Sequence, residues 1–434
     1  MIDFSKLRIF LVTITLLLLL NFNSSLNTMS FNWPVNSDNF SSNLEYHTTS
    51  PIEYFNESKH PRYNLVARSI DLIVSPNKGR PVIAEFNENF TVLINSANLP
   101  DSWELYLVNT VIEIELEILD HYSSDDGRVL TVQPSSNVAG LYDLQFNSST
   151  EDDYQTHSVK IVEQKEYPFK FIHLSDSHFP CYGEINTTDI NLKYINTIKT
   201  LDLDFVILTG DLIEGGPAWL FVNPVDDMPL AAEIQLRLSL WALDLLDLPV
   251  YIIAGNHDLD DTPILSDIPR IIWNKYLGEN PIIQFNYLDW MYVGYSVTDS
   301  GLSSDKYTSV KDLIDSAHGK NIPTVMFYHS NYASQASNIR KLYSIEVMLY
   351  GHEHDERLYT KDKTLYHCEA PMFENSSSIF TVLNGTSMSL DETVYDFSLL
   401  LQEAEETSFP SLLVLLMSSI LVACLYQKRK KKSY

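Results

Sequence analysis

Hydrophobic and polar positions change their spacing twice along the chain, and each change predicts a boundary between structural regions. Residues 26–60 are polar, rich in Asn and Ser and without a period, which is typical of a linker or a poorly ordered arm. Residues 61–165 alternate apolar and polar positions in short runs such as FTVLINSA and RVLTVQP, separated by turn sequences such as NLPDS. Several short strands at regular spacing predict an all-β sandwich of the immunoglobulin or fibronectin type III kind.

From residue 166 to residue 400, short apolar runs alternate with longer helical segments. The apolar runs include DFVIL, PVYII and TVMFY, and the helical segments include LAAEIQLRLSLWALDLL. Strands that are apolar on both faces need cover on both faces, and helices between the strands supply it. The pattern therefore predicts an α/β domain over residues 166–400.

Both ends of the chain carry long apolar segments. Residues 1–25 place two cations before an apolar run, which predicts a signal peptide or a signal anchor. Residues 401–408 are interpreted as a short stalk, and residues 409–426 form an uncharged transmembrane helix of nearly minimal length. The basic tail at 427–434 follows directly. By the positive-inside rule, this tail is cytoplasmic and the domains before it lie on the extracytoplasmic side.

The compartment depends on how the basic tail is interpreted. The terminal KKSY resembles the dilysine retrieval signal of endoplasmic-reticulum membrane proteins, which places the folded domains in that lumen. Without that signal, the same topology places them at the cell surface. The alternative for residues 409–426 is a buried core helix, although such a helix is seldom followed by five consecutive cations. Sequons that fit an exported glycoprotein lie at Asn23, Asn39, Asn56, Asn89, Asn147, Asn186, Asn375 and Asn384.

The net charge excludes one class of binding partner, and the cysteine content limits the possible disulfides. The formal net charge is -28 although the last eight residues are basic, so the rest of the chain is strongly acidic. Nucleic acid is excluded as a partner, because binding to a phosphate backbone needs a basic surface. Cys424 lies in the predicted span, which leaves Cys181 and Cys368 as the one possible disulfide outside it, and we interpret both as small buried hydrophobes.

Five apolar runs of the α/β domain end in the same kind of polar residue. Ligand sites in α/β sheets lie beyond the carboxyl ends of the strands, so these side chains are expected to converge. Imidazole, carboxylate and carboxamide groups are ligands of borderline divalent metals, and thiolate is absent from these ends. The candidates are Asp176 and His178 in SDSH, Asp211 in TGD, Asn256, His257 and Asp258 in GNHD, His329 in FYHS, and His352 and His354 in GHEH.

The remaining histidines are expected in structural roles. His173 lies inside its strand and is interpreted as a hydrogen-bonded core histidine. The same interpretation applies to His47, His60, His121, His157, His318 and His367.

The number of candidate ligands predicts two metal ions. Seven candidates remain when His257 and Asp258 are set aside, which is too many for one four-coordinate ion but suits two ions that share a bridging carboxylate. His352 and His354 are separated by one residue, so each can reach a different ion. A pair of ions of this kind suits in-line displacement at phosphorus.

The motif series DSH, GD, GNHD, H and GHEH, each after an apolar strand, resembles the calcineurin-like metallophosphoesterase superfamily. The resemblance covers about residues 167–400 and implies a four-layer α/β/β/α sandwich that hydrolyses phosphomonoesters or phosphodiesters. It also implies a ligand set. Asp176, His178 and His354 would hold one metal ion, Asn256, His329 and His352 would hold the other, and Asp211 would bridge both.

The same resemblance implies that two residues act without binding metal. His257 would stabilise charge at the transferring phosphoryl group or protonate the leaving oxygen, and Asp258 would orient that imidazole. The donor set accepts manganese, iron and zinc alike, so the sequence leaves the identity of the metal open.

Two function classes remain open at this point. The first is a membrane-anchored, extracytoplasmic, metal-dependent phosphoric ester hydrolase, and its position beside the bilayer would allow lipid head-group substrates. The second is a non-catalytic surface or adhesion protein with a structural metal site. His257 favours the enzyme, because a purely structural metal site has no use for an unligated histidine beside it.

Overall fold

A computed structural model describes most of the chain between residues 70 and 395. The described ranges are 70, 72–95, 103–124, 127–149, 152–179, 187–214, 228–259, 268–296, 302–330, 334–343, 345–374 and 376–395. None of the helices in these ranges is long and apolar enough to cross a membrane. The predicted N-terminal segment, polar linker, stalk, C-terminal span and basic tail all lie outside these ranges and stay predictions.

Eight strands make up the N-terminal part of the described chain. They are β1 (Ile73–Ser75), β2 (Val82–Glu85), β3 (Phe90–Ile94), β4 (Trp103–Val108), β5 (Glu113–Ser124), β6 (Gly127–Pro134), β7 (Gly140–Ser148) and β8 (Asp152–Val162). Their order is β1-β3-β6-β5-β4-β7-β8-β2, and the long strand β5 pairs with both β4 and β6. Alternate side chains of these strands meet in one apolar core. The region is therefore all-β as expected, whereas its immunoglobulin-like type stays a prediction.

Two mixed sheets and six helices form the rest. The strands are β9 (Phe169–Leu174), β10 (Phe205–Leu208), β11 (Val250–Ile252), β12 (Ile282–Tyr287), β13 (Trp290–Tyr295), β14 (Thr324–Tyr328), β15 (Val347–Tyr350), β16 (Arg357–Lys361), β17 (Thr364–Cys368), β18 (Ser376–Asn384) and β19 (Ser387–Tyr395). The helices are α1 (Thr187–Ile198), α2 (Met228–Asp244), α3 (Asn256–Leu259), α4 (Ile268–Leu277), α5 (Ser304–Gly319) and α6 (Ser334–Leu342). The strand orders are β11-β10-β9-β18-β19 and β12-β13-β14-β15-β17-β16.

Alternate residues of β9 show how the layers are stacked. Phe171 faces the second sheet, where its ring meets Tyr292 edge-on at a centroid distance of 5.7 Å. The next residue, Ile172, lies in a separate core with Tyr194 and Ile195 of α1. Helices α5 and α6 pack with the second sheet. The apolar runs are thus buried on both faces, as the uniform hydrophobicity of these strands predicts.

A turn of the β-domain joins the edge of the first sheet. The amide of Ile252 in β11 donates to the carbonyl of Gly79, at 2.9 Å, and Asn77 and Arg80 close the turn by a pair of backbone hydrogen bonds. Lys78 is buried at this contact and forms an ion pair with Asp244 of α2. Burial lowers the pKa of Lys78 to about 7. The β-domain therefore packs on the strand that leads into Asn256.

Candidate metal centre

All seven predicted metal ligands lie beyond the carboxyl ends of strands, and both sheets contribute. Each side chain follows its strand within a few residues, as the polar strand ends predict. The first sheet supplies Asp176 and His178 after β9, Asp211 after β10 and Asn256 at the start of α3, and the second sheet supplies His329 after β14 and His352 and His354 after β15.

Five of these residues have left-handed backbones, which is uncommon for residues other than glycine. The φ values are 52° at Asp176, 44° at His178, 51° at Asp211, 73° at His352 and 48° at His354. Each such residue costs about 1–3 kcal/mol unless the surroundings hold it. Local hydrogen bonds do so here, because the Asp176 amide donates to the Gly210 carbonyl and the His352 amide donates to Asp176 Oδ2, both at 3.0 Å.

Two motif glycines leave room for the carboxylates. A β-carbon at Gly255 would overlap the carboxylate of Asp211, and one at Gly351 would overlap Asp176 Oδ2 and the hydroxyl of Ser175. Each of these two motifs therefore requires glycine, because its backbone packs against a predicted metal ligand from a different motif.

The first cluster contains Asp176, His178 and His354. The Nε2 atoms of the two imidazoles are 3.2 Å apart, and Asp176 Oδ1 lies 3.3 Å from His354 Nε2 and 3.8 Å from His178 Nε2. Asp176 Oδ1 is buried and accepts no well-aligned hydrogen bond. Two imidazole nitrogens and a carboxylate oxygen that converge in this way fit a divalent metal ion.

The second cluster contains Asp211, Asn256, His329 and His352. Asn256 Oδ1 lies 3.0 Å from His329 Nε2 and 2.9 Å from His352 Nδ1, and His329 Nε2 lies 3.0 Å from Asp211 Oδ2. The Nδ1 atom of His329 donates to the Thr209 carbonyl at 2.7 Å, which fixes Nε2 as the nitrogen that faces the cluster. This donor set also fits a metal ion.

Asp211 lies between the two clusters, as the predicted bridging role requires. Its Oδ2 atom is 3.0 Å from His329 in the second cluster and 3.9 Å from His178 in the first. Its Oδ1 atom accepts the amide of His257 at 2.9 Å, which fixes the plane of the carboxylate.

Opposite charges stabilise each other in the metal-free site. Burial raises the pKa of Asp211 and Asp176, but the neighbouring imidazoles outweigh burial and hold both pKa values below their usual range. Burial lowers the pKa of His329, but the carboxylate of Asp211 outweighs burial and raises that pKa to about 10. Without a bound metal ion, the Asp211 carboxylate would therefore favour the protonated form of His329.

Metal affinity is expected to rise with pH. Because a metal ion binds the neutral imidazole, binding at His329 must release the proton that Asp211 stabilises below about pH 10. For each proton that metal binding releases, the apparent affinity for the metal falls about tenfold when the pH decreases by one unit. Calorimetric titration at pH 6, 7 and 8, in buffers of different ionisation enthalpy, measures both affinity and proton release. Equal affinities without proton release across this range would contradict the expectation.

His257 stands beside the clusters without joining either set of ligands. Its ring lies edge-on to that of His178 at a centroid distance of 4.8 Å, and its Nδ1 atom donates to the Glu214 carbonyl. Nε2 is therefore the nitrogen that can meet a substrate. Burial lowers the pKa of His257, but Asp211 and the Glu214 carbonyl raise it above its ordinary value, which favours a proton donor.

The predicted role of Asp258 is wrong. Its carboxylate does not contact the imidazole of His257 but accepts the amides of Leu212 at 2.9 Å, Ile213 at 3.2 Å and Gly255 at 2.8 Å. Adjacent residues of α3 point about 100° apart, so one side chain faces the substrate side and the next faces inward. Burial and the charge of Asp211 raise the pKa of Asp258 to about 7. Asp258 holds the loops after β10 and β11 together.

Glu214 is a site residue that the sequence reasoning missed. Its carboxylate Oε2 lies 3.2 Å from His178 Nδ1, and its carbonyl accepts His257 Nδ1. The sequence could have indicated Glu214 only as an acidic residue three positions after Asp211. Its contact with His257 is made by the backbone carbonyl, which a sequence pattern does not reveal.

Comparison with known proteins gives one family match and several structural likenesses. Residues 169–356 match the family model described as calcineurin-like phosphoesterase. No curated protein matches the chain significantly.

Among solved structures, the chain is similar to a putative 5'-nucleotidase from Staphylococcus aureus, with 13% identity, a TM-score of 0.36 and 52% of this chain aligned. The alignment spans 53% of the nucleotidase chain, about half of its length. The chain is also similar to the anchor in the inner membrane complex of Plasmodium, with 12% identity, a TM-score of 0.33 and coverage of 53% of this chain and 90% of that one. A phosphopantetheinyl hydrolase from Mycobacterium tuberculosis gives 13% identity, a TM-score of 0.26 and coverage of 47% and 90%.

Proposed function

We propose that residues 169–356, which match the calcineurin-like phosphoesterase family model, use two metal ions at the strand ends to hydrolyse phosphate monoesters or diesters. The single observation that carries this proposal is the convergence of two donor clusters on one carboxylate. Asp176, His178 and His354 form the first group, and Asp211, His329 and His352 form the second. Asp211 faces both groups, so the two ions would share it.

The proposed ligand sets are Asp176, His178 and His354 for one ion and Asn256, His329 and His352 for the other. Bound metal ions would lower the pKa of a water molecule and polarise the phosphoryl oxygens. The protein's part is to fix the donors, as the Thr209 carbonyl does for His329. The Glu214 carboxylate lies near His178, with Oε2 3.2 Å from Nδ1.

His257 would act on the substrate directly. Its Nδ1 atom is held by the Glu214 carbonyl, so a proton on Nε2 can be donated to the leaving oxygen as the bond to phosphorus breaks. In the alternative function, a purely structural metal centre, this imidazole would have neither a catalytic nor a metal-binding role.

We also propose that the domain works beside a membrane on the extracytoplasmic side, where lipid head groups are candidate substrates. Support comes from the sequence, in which the apolar stretch at 409–426 runs into the basic tail at 427–434. Protease added to sealed vesicles tests this topology. Loss of a C-terminal tag with protection of the folded domains supports it, and protection of the tag with digestion of the domains overturns it.

Hydrolysis by the full chain purified in detergent tests the enzymatic proposal. The substrates are an aryl phosphomonoester and its phosphodiester analogue, each assayed before chelation, after chelation and after adding back manganese, zinc or iron. Turnover that is lost on chelation and restored by one metal supports a phosphoesterase, and the preferred ester defines its class. Bound metal without turnover of either ester would favour the structural alternative.

A further inference from the structure

A buried chain of hydrogen bonds runs beneath the metal centre and links the two sheets. It contains His173 of β9, Thr209 after β10, His367 of β17 and Ser378 of β18, all fully buried. His173 Nε2 lies 2.9 Å from Thr209 Oγ1, the Nδ1 atoms of the two histidines are 2.9 Å apart, and His367 Nε2 lies 2.9 Å from the Ser378 hydroxyl. Both histidines are the hydrogen-bonded core residues that the sequence predicts.

These two histidines form a hydrogen-bonding device and not a third metal site, although Glu369 lies near His367. All four ring nitrogens already have partners within the chain. Burial, with a smaller contribution from the neighbouring His367, lowers the pKa of His173, and burial lowers the pKa of His367 to about 4. Both shifts favour neutral rings. One proton on each ring is enough to satisfy the chain from Thr209 to Ser378.

Thr209 connects this buried chain to the metal centre. Its hydroxyl binds His173, while its carbonyl accepts Nδ1–H of His329 at 2.7 Å. That second contact points His329 Nε2 at Asn256 and Asp211, each at 3.0 Å. A shift of the Thr209 peptide therefore moves His329 relative to the other donors of the second cluster.

We propose that the His173–His367 pair is a positioning device, which acts through Thr209 to hold His329 for the metal ion of the second cluster. The inference rests on the proposed function, because it assumes that His329 is a ligand. The first cluster is expected to gain less from the device, because the Thr209 carbonyl accepts a hydrogen bond from an imidazole of the second cluster. Outer contacts of this kind set metal affinity by fixing the orientation of the ligand.

Thr209→Val tests the device with the smallest change, because valine keeps the shape and the carbonyl and removes only the hydroxyl that binds His173. A competition titration of the full-chain protein with manganese against an indicator measures both affinities. The expected result is about tenfold weaker binding of one ion with the other changed less than twofold, and recovery of wild-type affinity in Thr209→Ser.

A second pair of variants keeps the test decisive if Thr209→Val fails to fold. Ser378→Ala removes the far end of the chain, whereas Ser377→Ala removes the neighbouring buried hydroxyl, which binds Tyr194 outside the chain. Ser378→Ala is expected to weaken the same ion, and Ser377→Ala is expected to bind both ions as the wild type does. Unchanged affinities in Thr209→Val or Ser378→Ala, or equal weakening of both ions, overturn the inference. Failure of the wild type to bind two ions overturns the proposed function instead.

Discussion

Asp211→Asn is expected to release both metal ions and to lower kcat/KM by roughly a thousandfold or more. The carboxylate faces both clusters, with Oδ2 at 3.0 Å from His329 Nε2 and 3.9 Å from His178 Nε2. A carboxamide keeps the volume but has no charge and only one oxygen acceptor, so it cannot bridge two cations. Elemental analysis of the variant after dialysis, together with hydrolysis assays, measures the two effects.

Asp312→Asn is the matched control for this variant. Asp312 lies on the exposed side of α5, so the same change of charge there leaves metal content and activity as in the wild type. Two ions retained in Asp211→Asn would mean that each cluster holds its ion without a shared carboxylate, and the bridging role would be withdrawn.

His257→Ala is expected to keep both metal ions and to lower kcat by about 10²–10⁴-fold, the range for loss of a positioned proton donor. The imidazole lies outside both proposed ligand sets, although it forms a further potential donor group with His178 and Glu214. Its Nδ1 atom donates to the Glu214 carbonyl, which leaves Nε2 for the substrate. The loss should be smaller for esters of acidic phenols than for alkyl esters, because a good leaving group needs little protonation. Assays of both ester types on one metal-loaded preparation measure this difference.

His121→Ala serves as the control, because His121 is exposed on β5 of the other domain and is not the core residue that the sequence analysis expected. The same loss for phenyl and alkyl esters would contradict proton donation and indicate stabilisation of charge at the phosphoryl group. Loss of metal from His257→Ala would contradict its placement outside the ligand sets.

The fold could be predicted for the strands whose own hydrophobic pattern indicates how they are buried. The uniform apolar runs of β10, β11 and β14 predict burial on both faces, and the structure has helices and a second sheet covering them. The docking of Gly79 on Ile252 could not be predicted, because a backbone hydrogen bond between distant segments depends on tertiary packing and not on residue type.

The candidate site could be predicted as far as the convergence of its candidate metal-binding side chains. Imidazoles and carboxylates at strand ends are visible in sequence, and His329 and His352 do meet Asp211 in one cluster. The groups around them were missed. Thr209 holds His329 through a backbone carbonyl that every residue has, and the approach of the Glu214 carboxylate to His178 depends on tertiary packing. Asp258 was misassigned because adjacency in sequence was taken for contact, whereas adjacent side chains on a helix point about 100° apart, and Asp258 faces the Gly255 amide.

The division of the ligands between two sheets has a consequence for the order in which the protein matures. Asp176 and His352 are in contact although they lie 176 positions apart in the chain. Such distant contacts form late, because a long loop must close before they bring any gain. Neither complete ligand set exists until the segment after β15 has been synthesised and the second sheet has docked on the first. The proposed metal ions would therefore be taken up only after the two sheets have docked.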